Sequence, residues 1–168
     1  MKLAKLLAVV LVLFFANSAF AGTIQIPEKG PVVSVSIPDS WQPEVTEKGV
    51  ACESPDKVAT VFFEIAKSDK DLQALIDENV DWLVKDQKVK INDATKEQKD
   101  VEISGVKWLR ISWDGNHAEW GPAAVGFLFA PVGDGSALVV TYWITKKDFE
   151  KHDATLTKIF GSIKPVKK

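Results

Sequence analysis

The chain has 168 residues, 46% of them hydrophobic and 26% charged, with a formal net charge of −2, two histidines and one cysteine. That length and apolar content suit one domain with a sizeable core, and the slight acidic excess leaves no electrostatic footprint for nucleic acid or an anionic membrane. With Cys52 alone, the core has to stand without an internal disulfide.

Residues 1–21 read as a secretory signal peptide. Lys2 and Lys5 give the charged start, residues 3–15 the apolar middle, and Ala19-Phe20-Ala21 a small-x-small cleavage site. The apolar run falls short of the roughly 20 residues a spanning helix needs. The expectation is therefore cleavage after Ala21, a single mature domain over 22–168, a periplasmic or secreted location, and no stable membrane span. No cysteine follows the run, so acylation at a lipoprotein-type site is excluded.

The mature chain opens with short extended runs at 23–26 and 32–37, separated by Pro27 and Gly30-Pro31. Pro38-Asp39-Ser40 makes a turn, and Trp41 is expected to fold its ring back over a sheet edge. Residues 49–53 and 58–66 form a strand pair around Ser54-Pro55-Asp56. The second is nearly continuous in apolar residues, as a strand covered on both faces would be. Cys52 reads as a small buried hydrophobe, since no Cys-x-x-Cys and no adjacent His or Lys would activate it.

The best-marked helix follows. Ser68 and Asp71 have capping-box spacing, and Leu72, Leu75, Ile76, Val80, Leu83 and Val84 form one apolar stripe with Trp82 at its margin. Asp77, Glu78, Asp81 and Lys85 lie opposite as a solvated face. Residues 92–99 are polar and read as a loop. From 101 to 145 the chain becomes a meander whose segments are too close together to pair other than antiparallel. Within it Leu109, Ile111 and Trp113 share one face while Trp108, Arg110 and Ser112 share the other, so the sheet should be covered on both sides. Thr145 and Asp148 then begin a second helix with the stripe Phe149, Leu156, Ile159, Phe160 and Ile163. His152 lies near that stripe as a packing residue, and Gly161 ends the helix before Pro165. The architecture expected is α+β, an antiparallel sheet flanked by two main helices.

One segment collects groups able to bind something. Pro122 lacks the amide that a central ladder would use, so residues 114–122 read as a long hairpin loop. It concentrates Asp114, Asn116, His117, Glu119 and Trp120. Loops of this kind often carry function, and an exposed indole offers large contact area with one polar handle. A metal reading is weaker, because structural zinc sites want four ligands and catalytic ones at least three. No metal or cofactor site is assigned.

Several motifs resemble those of a known group. Ile37-Pro38 with Trp41 precedes two strands and a long helix; Val101, Ile103 and Gly105 follow as Val-x-Ile-x-Gly before long antiparallel strands. The chain closes on Ile159-Phe160-Gly161-Ser162-Ile163-Lys164-Pro165. This pattern is similar to the PsbP-like superfamily, which includes PsbP and DcrB-type periplasmic proteins. The resemblance implies an antiparallel sheet of about six or seven strands between helices, an α/β/α sandwich, and a binding or assembly role. It places no functional residue on this sequence.

No Gly-x-Ser-x-Gly, His-Glu-x-x-His or phosphate-cradling glycine loop occurs, so no catalytic residue is assigned. The favoured reading is an exported, non-enzymatic binding or accessory protein of the cell envelope, engaging a protein or envelope partner through surface loops. The alternatives are a carboxylate- or metal-dependent hydrolase, whose acids can lie far apart in sequence, or an inhibitor of a secreted enzyme.

Overall fold

A computed structural model describes residues 20–133 and 135–166. The expected leader, up to residue 19, lies outside them. In chain order the elements are β1 (Phe20–Ile26), β2 (Val33–Pro38), β3 (Glu44–Val45), β4 (Gly49–Glu53), β5 (Ala59–Ala66) and α1 (Asp69–Asp81). Next come β6 (Val89–Ile103), β7 (Val106–His117), β8 (Gly121–Gly133), β9 (Ser136–Thr145), α2 (Phe149–Gly161) and β10 (Lys164–Pro165).

The meander forms as its alternation requires. β6, β7, β8 and β9 pair antiparallel in sequence order, and β9 pairs in turn with β5. With β4 and β3 this makes a seven-stranded sheet of order β3-β4-β5-β9-β8-β7-β6. The β6–β7 turn is tight because Ser104 and Gly105 both take positive φ, 53° and 79°, as a primed hairpin turn demands. A smaller sheet of order β1-β2-β10 joins the beginning and end of the described chain.

Alternation along β9 shows how the large sheet is covered. Leu138, Val140 and Ile144 face a core shared with Val33, Val35 and Ile37 of the small sheet and Ile159 of α2. Val139 points the other way, against Leu75 of α1. Trp143 packs with Leu83, just beyond α1, and with Val125. One helix therefore lies on each face, and the small sheet shares the α2 side.

The Ser68 hydroxyl accepts from the Asp71 amide at 3.2 Å and Lys85 pairs with Asp81 at 2.7 Å, whereas the Thr145 hydroxyl caps no backbone amide and instead donates to the Asp148 carboxylate at 2.6 Å. The apolar stripes explain the seating of both helices, although Val84 and Phe149 remain about half exposed. Trp41 is buried, its ring edge-on to His152 with centroids 5.5 Å apart. Cys52 is buried as expected.

Two expectations are corrected. Residues 92–99 are not a loop but the middle of β6, a long edge strand with a register shift between Asn92 and Glu97. An edge strand has one neighbour and a solvated face, so polar residues do not break it, and its charges discourage pairing with other chains. Residues 114–122 are not a long loop either. β7 runs to His117 and β8 starts at Gly121, leaving a three-residue connection. Pro122 is tolerated because the β8–β9 ladder begins only at Ala123, so Pro122 has a strand on one side alone.

Candidate functional site

The short β7–β8 connection is built around His117. This residue is 8% exposed, and its ring stacks on Trp143 with centroids 4.6 Å apart. Nδ1 accepts from the amides of Glu119 and Trp120 at 3.1 and 3.2 Å. An unprotonated Nδ1 is required for both bonds, which places the proton of the neutral ring on Nε2. Burial pushes the imidazole below its ordinary 6.5, only partly opposed by the charge of Glu119. His117 thus serves as the internal brace of the turn.

The other expected site residues separate. Glu119 and Trp120 join His117 on the wall of a depression of about 570 Å³, with Glu53 from the end of β4, Lys57 from the β4–β5 turn, and Asp86 and Lys88 from the segment after α1. Trp120 is half-buried against the cluster containing Leu83, Val125 and Trp143. Its floor is fixed by Trp143, whose Nε1 donates to Gln87 at 3.1 Å. Asn116 belongs to the neighbouring hollow beside Val84 and Ile91. Asp114 is paired with Lys146 at 2.7 Å.

Two polar clusters were not anticipated. On the α1 side, Asn79 Nδ2 donates to Glu64 Oε2 at 2.7 Å and to Thr141 Oγ1 at 2.9 Å, all three residues being buried. Asn79 lies seven residues after Leu72, on the apolar stripe itself, and Glu64 is the one charged residue of β5. Those two misfits were the available signal. On the α2 side, His152 Nε2 sits 3.0 and 3.1 Å from the two carboxylate oxygens of Asp56, to which Lys151 also pairs. Partial burial pulls the Asp56 carboxyl upward, but hydrogen bonds from Lys151, Ser54 and His152 outweigh it and hold the group well below the usual range. The carboxylate stands between serine and histidine, which is the wrong order for a base-activated hydroxyl. Among the described residues no three His, Cys, Asp or Glu side chains are grouped to hold a metal ion, and no helix is long and apolar enough to cross a membrane.

Comparison with known proteins places the architecture. No family model matches the chain, and no curated protein matches it. The solution structure of cyanobacterial PsbP (CyanoP) from Synechocystis sp. PCC 6803 superposes with a TM-score of 0.51, covering 91% of this chain and 96% of that one at 8% identity. The fold is PsbP-like. A crystal structure of a protein of unknown function from Pseudomonas aeruginosa covers 89% of this chain and 99% of that one, at 14% identity and a TM-score of 0.37.

The motifs that first suggested a PsbP-like chain have structural duties here. Ile37 and Trp41 are buried. In the closing motif, Ser162 Oγ accepts from the Ser36 amide at 2.8 Å and donates to the Ile159 carbonyl at 2.6 Å, fastening the end of α2 to β2. These motifs specify a PsbP-like scaffold and leave its ligand chemistry open.

Proposed function

We propose that the chain is an exported, non-enzymatic accessory protein of the cell envelope. In this reading the mature domain, residues 22–168, engages a protein or envelope partner through the β7–β8 turn and the depression beside it. The observation that carries it is the braced turn: His117 fixes the backbone of Glu119 and Trp120, so an indole is presented at a set angle beside mixed charges. Preorganised aromatic anchors of this kind lower the ordering cost of association. The two imidazoles support the non-enzymatic part. One braces a turn on the α1 face, the other is tied to Asp56 beneath α2, and among the described residues neither adjoins an available nucleophile.

The test is site-specific photocrosslinking in an envelope extract. A crosslinker at position 119 should give one adduct, identifiable by mass. Trp120→Ala should remove that adduct, and a crosslinker at the exposed Asp77 should not give it. Equal labelling from positions 119 and 77, or turnover of a screened substrate by the purified protein, would overturn the reading. Export is tested separately by N-terminal sequencing of the protein recovered outside the cytoplasm, with Gly22 expected first.

A further inference from the structure

We infer that His117 is a proton-operated latch: protonation of its imidazole frees the β7–β8 turn and withdraws Trp120 from the position in which it meets a partner. The partner half of this statement rests on the docking role proposed above, whereas the latch itself stands on the geometry of the turn.

The turn is held only by what the ring can accept. Nδ1 of His117 takes the amides of Glu119 and Trp120 at 3.1 and 3.2 Å, and neither amide makes a backbone hydrogen bond among the described residues. A protonated imidazole is a donor at both nitrogens. Its Nδ1–H would face two N–H groups, and both bonds would be lost together. Turning the ring over does not restore them, because it brings a C–H to the place of Nδ1. Moving the ring aside is resisted by its stack on Trp143, with centroids 4.6 Å apart and planes 20° from parallel. Trp143 is itself tied to Gln87. The part free to yield is the turn, where Ala118 and Glu119 are exposed.

Charged groups face the ring from several elements. Glu119 lies in the turn, Glu53 at the end of β4, Lys57 in the β4–β5 turn, and Asp86 and Lys88 after α1. Acids and bases nearly balance, and the attraction felt by the ring comes from Glu119, against a larger opposing effect of burial. The folded protein therefore favours the neutral ring. The latch is fully closed above the ordinary 6.5 of histidine and opens as the pH falls through the lower folded value. A partner docked on Trp120 at neutral pH is released in acid.

The test follows individual amides of the purified protein by nitrogen–proton NMR, from about pH 8 to about pH 4. Protection of the Glu119 and Trp120 amides from hydrogen exchange, corrected for the intrinsic pH dependence of exchange, should fall at least about tenfold. The midpoint should be that at which His117 itself titrates, while the amide of Val125, paired on both sides within the sheet, stays protected. His117→Asn offers an acceptor oxygen near the place of Nδ1 and does not titrate, so its turn should keep its protection throughout. Should that variant not fold, the titration of the unaltered protein decides alone. Titration of His117 with no loss at residues 119 and 120, loss at a different midpoint, or the same loss in His117→Asn would overturn the latch. Photocrosslinking from position 119 should give its adduct above the midpoint and lose it below. No adduct at any pH, with the amide response intact, would defeat the docking role and leave the latch standing; an adduct indifferent to the midpoint would overturn its control of docking.

Discussion

Glu64 sits in β5 under α1, and its ionisation is resisted by its surroundings. Burial pushes its carboxyl above the ordinary 4.5; the Asn79 hydrogen bond and the Lys48 charge oppose this, and Glu78 adds to it. The unfolded chain therefore releases this proton at lower pH than the folded one. Glu64's contribution to stability is full below about pH 4.5 and is lost as the pH rises through the higher folded value. Glu64→Gln keeps an acceptor for Asn79 without the charge. Its urea midpoint should exceed that of the parent near pH 7, and the two should converge near pH 4; an unchanged gap across that range would refute the account. Asn79→Ala takes away donors from both Glu64 and Thr141 and should cost about 1–3 kcal/mol.

At the scale of elements, close approach in the central sheet admits a direct check. A Cβ at Gly126 would lie 2.5 Å from the Ile111 carbonyl oxygen and 3.0 Å from the Ser112 Cα, both backbone. Gly126→Ala should therefore force β7 and β8 apart and destabilise by roughly 1–3 kcal/mol, read from the midpoint of denaturant unfolding; parental stability would show that the ladder yields freely. The elements also differ in how openly the sequence declares them. α1, α2 and strands β7, β8 and β9 bury one face or both, so hydrophobic periodicity marks them. β6 does not: from Asn92 to Asp100 it is largely exposed, and an edge strand's polarity reads the same as a loop's. Pro122 misled for a related reason, since its tolerance depends on where β9 stops pairing, a long-range fact. The candidate site residues could be read only as neighbours along the chain; the fold keeps His117, Glu119 and Trp120 together and sends Asn116 and Asp114 elsewhere. That His117 would turn inward to stack on Trp143, leaving Glu119 and Trp120 on the rim, follows from the partner strand and could not be read locally.

For the whole molecule, the α2-side core is the common ground of both sheets. Val35, Phe63, Val140 and Ile159 meet there, and Cys52 with them. Burial pushes the Cys52 thiol up to about 12, so neither exposure nor thiolate formation favours reaction in the folded state. Modification by a thiol reagent should therefore proceed only as fast as the protein opens, with its rate tracking global unfolding across a urea series. Rapid labelling without urea would mean that the β4 region moves independently of the rest.

The small sheet has a consequence for synthesis. β2 has β1 on one flank and β10 on the other; Lys164 pairs with Ser34, Pro165 with Val33, and the Val166 amide reaches the Val32 carbonyl at 2.9 Å. A polypeptide emerging from the ribosome thus holds one flank of that strand bare until β10, about 130 residues further on, arrives to cover it. Such long-range closure is slow, so the complete pairing of β2 waits on the last residues of the described chain.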